Sequence, residues 1–190
     1  MDSTIPPSWE REQRFREMYD AAYADLLRYV RRRVHPSHAE DVVGEVMLVA
    51  WRRLDDVPAD LSAARAWLFG VARKTLQNTR RREDRHDAVG VRLADAHHGS
   101  ADAGELPDLV AHRADIAAAW PLLSPLHQEA IAMSVLDGFT APEAAAVLGI
   151  SATAFRLRLS RARRTLRRHV ESSPAEAPMP GQLASDRSPR

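Results

Sequence analysis

Apolar positions recur along this chain at the three- and four-residue spacing of helices, and no stretch alternates with the two-residue period of a strand. Residues 11–34 predict one amphipathic helix with the stripe Phe15, Tyr19, Ala22, Tyr23, Leu26, Leu27, Val30 and Val34. His35-Pro36 ends it, because a residue before proline avoids helical geometry. A second helix, 38–54, is predicted with Ser37 as its cap and Val43, Val46, Met47, Ala50 and Leu54 inward. Its other side carries Asp41, Glu45, Leu48 and Arg52, an acidic face with one leucine. Residues 55–60, with Pro58, read as a loop, and Ser62 begins a third helix to about 83. That helix changes character: Trp67, Leu68, Phe69 and Val71 give way to Arg73, Lys74, Gln77, Asn78, Arg80, Arg81 and Arg82.

Periodicity is lost over 84–108, which holds three glycines and Pro107 and reads as a linker. It returns in a helix over 109–121 and another from Ser124-Pro125 to Leu136, where the serine caps and the proline takes the first turn. Leu126, Ala130, Ile131, Met133 and Val135 are available for its buried side. Asp137-Gly138 stops it. Thr140 and Glu143 then form a capping box, and Ala144, Val147 and Leu148 give a short apolar face before Gly149 ends the helix. Ser151 caps a last helix whose inward side is Ala154 or Phe155, then Leu159, Ala162 and Leu166. Two helices across a short glycine-containing turn, the second one basic, make a helix-turn-helix. Residues 1–10 and 171–190 are polar or proline-rich and read as loose ends.

The expected architecture is therefore all-α: two small helical domains, 11–83 and 109–170, joined by a flexible linker over 84–108 and followed by a disordered tail over 171–190. The C-terminal domain contains the helix-turn-helix.

Charge sharpens this picture. The chain of 190 residues has a net charge of only +1, but between Ala144 and Val170 it carries seven arginines (156, 158, 161, 163, 164, 167 and 168) and no acid. Such a helix repels itself unless a polyanion is near, and DNA phosphate is the usual partner. There is no cysteine, which excludes disulfides and thiol chemistry. No apolar run is long enough for a membrane span, and the N-terminus lacks the pattern of a signal peptide, so a cytoplasmic protein without membrane insertion is expected. Asp95, His97 and His98 fall in the linker and read as solvated residues rather than a metal site. With no phosphate loop, no HExxH and no cysteine, no catalytic residues and no cofactor are expected.

With both halves placed, the pattern resembles bacterial RNA polymerase sigma factors of the extracytoplasmic-function (ECF) type. In the first half the resemblance rests on Ala39-Glu40-Asp41, Glu45, Trp51-Arg52-Arg53-Leu54, Arg65 through Arg73 and Arg80-Arg81, which look like region 2 of the family. In the second it rests on Leu123-Ser124-Pro125, Glu129, Asp137-Gly138, Glu143, Leu148-Gly149-Ile150-Ser151 and Arg158 through Arg163, which look like region 4. The resemblance implies core RNA polymerase and promoter DNA as partners, a possible anti-sigma factor, and no obligate homo-oligomer. It assigns Asp41, Glu45, Leu48 and Arg52 to core polymerase. It assigns Trp67, Arg73, Lys74, Gln77, Asn78, Arg80 and Arg81 to the −10 element, together with the preceding loop. It assigns Ser151, Thr153, Ala154, Arg156, Leu157, Arg158 and Arg161 to the −35 element.

Two departures bear on DNA reading. Lys74 stands where the family usually has asparagine, and Thr153-Ala154-Phe155 replaces a common Gly-Thr-Val. A linker of about 25 residues reaches roughly 80–90 Å, enough for DNA sites one to two turns, about 35–70 Å, apart. The residues alone also leave open a stand-alone helix-turn-helix regulator whose N-terminal bundle dimerises or senses a ligand.

Overall fold

The computed structural model describes residues 8–83 and 107–172, and every regular element among them is helical. Helix α1 spans Ser8–Arg31, α2 Ala39–Arg52 and α3 Leu61–Glu83. Helix α4 spans Pro107–Ala119, α5 Pro125–Val135, α6 Ala141–Leu148 and α7 Ala152–Ser172. Short 3-10 turns at Pro36–His38, Leu54–Asp56 and Trp120–Leu122 join neighbours. The expected linker and tail lie almost wholly outside the described residues. Only their ends are seen, as helix: Pro107 and Asp108 open α4, and Glu171 and Ser172 close α7.

Helix α1 buries Ala22, Leu26, Tyr29 and Val30 against α2 and α3. Tyr19 leaves the expected stripe: it is more than a third exposed and stacks on Tyr23 at 4.8 Å. The helix stops three residues before the expected Val34, because Arg33 N–H bonds Val30 O at 2.7 Å and tightens the last turn. Arg11 grips the Asp55 carboxylate with two 3.0 Å bonds, and Arg14 donates to Val57 O at 2.6 Å. These contacts pin the loop ahead of α3 to α1.

One cap and one helix start differ from expectation. Ser37 does not cap α2; its backbone N–H and hydroxyl face His35 Nδ1, and His38 precedes the helix without a side-chain cap. Helix α3 begins at Leu61, one residue before the expected Ser62, and Asp60 caps it, accepting from Ala63 N–H at 2.8 Å. An aspartate here accepts a donor and suits the positive helix end, which frees the Ser62 hydroxyl for another partner. In α5 the expected Ala130, Ile131 and Met133 are buried, but Leu126 and Val135 are more than half exposed.

The turn between α6 and α7 follows its sequence closely. Glu143 Oε2 accepts from the Thr140 backbone N–H at 2.8 Å and from its hydroxyl at 2.6 Å, while the Thr140 oxygen faces Glu143 N–H. Gly149 takes the left-handed conformation, φ 68°, and Ile150 N–H closes on Ala145 O at 3.0 Å. Ser151 Oγ accepts from Ala154 N–H at 3.1 Å and starts α7. Phe155 is the residue that points inward, 1% exposed, and Ala154 points out.

Burial would raise the Glu143 pKa, but hydrogen bonds from Ser62 and Thr140 and the Arg65 charge outweigh it and hold the carboxyl below its ordinary value. A depressed folded pKa means that this stabilisation is present above the unfolded glutamate pKa and is lost as pH falls through the folded one. Thr140→Ala is therefore expected to cost about 1 kcal/mol at neutral pH and less in acid, where Glu143 is already protonated. Thermal melts of both proteins across pH check this.

The two halves share a core. Tyr29, Leu68 and Phe69 from the first half lie in one cluster with Met133, Phe139, Ala144, Val147 and Phe155 from the second. Phe69 meets Tyr29 edge-on at 5.0 Å and Phe139 edge-on at 4.9 Å. Helix α3 lies along α6, a contact that the sequence did not foretell. A smaller cluster of Trp120, Leu123, Ile131, Ala132 and Ala162, with Leu166 at its edge, fixes α5 against α7.

Candidate polymerase and nucleic-acid interfaces

Three surfaces carry the residues singled out by sequence. The first is the outer side of α2. Val42, Val43, Val46, Met47 and Ala50 fill the inner side, so helical spacing turns Asp41, Glu45, Leu48 and Arg52 to solvent as one stripe. Leu48 is 56% exposed. Nearby, Glu40 pairs with Arg31 at 3.7 Å. An exposed apolar side chain among carboxylates is the form of a docking anchor for a basic surface.

The second surface is α3, and it divides the expected −10 residues. Trp67, Lys74 and Asn78 line a groove of about 640 Å³ with Arg53. Trp67 is half-buried, Lys74 and Asn78 are exposed, and the Arg53 guanidinium lies 5.7 Å from the indole centroid. The groove thus combines an aromatic face, three cations (Arg53, Arg73 and Lys74) and an amide, a set suited to a base and its phosphate. Arg73 lines the same groove, and its guanidinium meets Glu129 of α5 at 3.4 Å. Gln77 is half-buried. Arg80 and Arg81 continue α3 as backbone, and their side chains lie outside the described residues.

The third surface is the start of α7. Phe155 and Ala162 are buried, Leu159 and Leu166 half-buried, and this inner side holds the helix against α6 and α5. Thr153, Ala154, Arg156, Leu157 and Arg161 are exposed on the other side, and Arg158 is half-buried at its border. Ser151 is exposed as well, with its oxygen engaged as the helix cap. Leu157, half exposed, offers an apolar contact beside the guanidinium groups.

Sequence reasoning missed one constellation altogether. Asp137, read as a helix stop and as part of the region 4 resemblance but given no partner, has its carboxylate 1% exposed and bonded to Arg32 and, at 3.3 Å, to Arg33. Both guanidinium side chains are 4% exposed. Arg33 also donates to Tyr29 O at 2.9 Å and lies 3.5 Å from the Tyr29 ring centroid. Burial raises the Tyr29 pKa despite that nearby charge. Arg65 donates to Asp137 O at 2.6 Å and covers the Phe139 ring at 4.1 Å. The one available signal was the run Arg31-Arg32-Arg33 overlapping the end of an apolar stripe, which places cations where a core needs an anion.

Among the described residues no group of three or more histidines and acids could hold a metal ion, and no helix is long and apolar enough to cross a membrane. His97 and His98 lie outside the described residues.

Comparison with known proteins follows the same division of the chain. The model of sigma-70 region 2 matches residues 18–86, and that of sigma-70, region 4 matches residues 113–166. The ECF RNA polymerase sigma factor SigL of Mycobacterium tuberculosis (strain ATCC 25618 / H37Rv) is 34% identical over 156 residues, covering 80% of this chain and 86% of that protein. The RNA polymerase sigma factor NccH of Alcaligenes xylosoxydans xylosoxydans is 31% identical over 144 residues, covering 74% and 77%. Among solved structures, CnrH in complex with the cytosolic domain of CnrY superposes with a TM-score of 0.56 at 24% identity, over 84% of this chain and 88% of that one. The sigma factor RpoE of Bartonella quintana, solved with the anti-sigma factor NepR, gives 0.54 at 23% identity, over 84% and 96%. These two likenesses support the fold, and the family models and relatives supply the rest: the chain belongs to the extracytoplasmic-function sigma factors, which direct promoter recognition and transcription initiation.

Proposed function

We propose that this sigma factor divides its work among the three surfaces. The outer stripe of α2 docks on core RNA polymerase through Asp41, Glu45, Leu48 and Arg52. The groove face of α3, with the loop ahead of it, captures the opened −10 strand through Trp67, Lys74 and Asn78, with Arg73, Gln77, Arg80 and Arg81 along the same helix. Strand capture favours melting because an unstacked base fits a pocket that a paired one cannot enter. The start of α7 enters the major groove at the −35 element, where Thr153, Ala154, Arg156, Leu157, Arg158 and Arg161 meet base edges and phosphates and Ser151 fixes the helix end. The polymerase performs the nucleotidyl transfer, and this chain contributes no catalytic group or cofactor. It works in the cytoplasm, and an anti-sigma factor is a partner in keeping with the company of its structural neighbours.

The observation that carries this reading is the two-sidedness of α7. Its apolar side is consumed by α5 and α6, and its arginine-bearing side is left to solvent. Arg156→Ala with Arg161→Ala is expected to weaken duplex DNA binding and to flatten the dependence of log affinity on log salt by about one for each phosphate no longer neutralised. Titration of a labelled duplex at several salt concentrations measures both. An unchanged slope would remove α7 from the DNA interface.

A further inference from the structure

The roll of α7 is fixed by its buried side, so its outward side can be read residue by residue. Phe155 is 1% exposed and Ala162 fully buried, while Thr153, Ala154, Arg156, Leu157, Ser160 and Arg161 are exposed. Each residue turns the helix by about 100°, so Leu157, two places after Phe155, points almost directly away from the core. Ala154 is three places before Leu157 and shares that side, about 4.5 Å away along the axis. These two are its only apolar members. Arg156 and Arg161 flank them, and no acid lies between Ala144 and Val170.

A leucine half exposed among guanidinium groups gains nothing from a phosphate. It gains from an apolar group that lies among phosphates, and duplex DNA has one: the C5-methyl of thymine, which stands in the major groove. The other three bases present hydrogen-bonding groups there. A leucine pressed on such a group strips its water and returns no hydrogen bond, which costs affinity. Base pairs are stacked about 3.4 Å apart, a spacing comparable to that of Ala154 and Leu157 along the helix, so the two side chains reach adjacent pairs.

We propose that Ala154 and Leu157 are base-selecting residues of α7, and that they choose thymine methyls on two adjacent pairs of the −35 element while Arg156 and Arg161 hold the flanking phosphates. This rests on the reading that the start of α7 enters the major groove. Leu157 carries the larger share, because it has more apolar surface to cover. Ala154, a single methyl, sets how closely the helix approaches.

The test uses the full chain assembled with core polymerase. Duplexes randomised over the upstream block are selected for binding, and the enriched block is expected to hold thymine, on either strand, at two adjacent pairs. Each thymine is then replaced by uracil, which removes the methyl and leaves the hydrogen-bonding groups in place. The replacement facing Leu157 should weaken binding by about fourfold, the worth of one buried methyl-sized group. Cytosine at that position should bind worse still, and 5-methylcytosine should return about fourfold of the loss. Leu157→Ser, at an exposed site that leaves the fold intact, should bind the thymine and uracil duplexes alike.

An enriched block without adjacent thymines overturns the proposal. So does a block in which uracil binds as well as thymine, or a uracil penalty that survives in Leu157→Ser. The underlying reading fails differently: no enriched block at all, or one bound equally well by Arg156→Ala with Arg161→Ala, would remove α7 from the DNA and the proposal with it.

Discussion

Reversing Asp41 and Glu45 to lysine should abolish capture of the protein by core RNA polymerase while leaving it folded. Both carboxylates sit on the outer side of α2, one turn apart and in water, with Leu48 a further turn along. If that stripe faces a basic surface, two reversals put four like-charge units of change into the interface. Like-charge juxtaposition costs several kcal/mol, which corresponds to a loss of at least about a hundredfold in affinity. The fold should barely respond, because substitutions of exposed side chains change stability by about 0.5 kcal/mol or less. The stability of α2 comes from its other side, where Val42, Val43, Val46, Met47 and Ala50 are buried. Pull-down with purified core polymerase, paired with a thermal melt, measures the two effects separately. Undiminished capture would show that α2 docks elsewhere or not at all.

Phe155→Ala should have the largest effect on stability of any change within the helix-turn-helix. The ring is 1% exposed and belongs to the core shared by α6, α7 and the N-terminal half. Truncating a buried phenylalanine costs about 3–5 kcal/mol, through lost burial and the cavity left behind. That is a large part of the total stability of an ordinary domain. The loss should reach function too, since Phe155 sets the roll of α7 and so the direction in which Thr153, Ala154, Arg156 and Leu157 face. Denaturant titration reports the stability, and duplex binding by the same variant reports the reader. Phe155→Leu, which keeps most of the volume, should restore much of both.

The parts legible in the sequence were those that local chemistry decides. The α6–α7 turn is determined by Thr140, Glu143, Gly149 and Ser151, all within twelve residues of one another, and each does in the structure what its type and position imply. The acidic stripe of α2 was legible for the same reason, because helical periodicity alone sorts Asp41 and Glu45 from Val43 and Val46. Helix starts were less secure where two capping side chains lie close together. Asp60 and Ser62 both suit an N-cap, and the choice fell to Asp60 because Ser62 finds Glu143 across the fold. Leu126 and Val135 read as available for burial and are exposed, since the side of α5 that faces inward is set by α7 and not by its own composition.

The contact between the halves was scarcely legible: the Arg31-Arg32-Arg33 run asks for an anion but does not say which. Arg32 and Asp137 are 105 positions apart, and nothing in either neighbourhood names the other. A buried ion pair depends on two distant charges arriving together, and periodicity does not encode that. The same holds for Arg73, whose place on a basic stretch suggested DNA while its observed partner is Glu129.

Promoter choice by this chain is put to the proof by 5′-end mapping of RNA made by purified core polymerase on a library of genomic fragments, with and without the protein. Start sites that arise only when the protein is present are expected. Upstream of each should lie two sequence blocks, at −10 and −35, separated by a constant spacing. Start sites that do not depend on the protein, or protein bound to palindromic sites without the polymerase, would contradict a sigma-factor role.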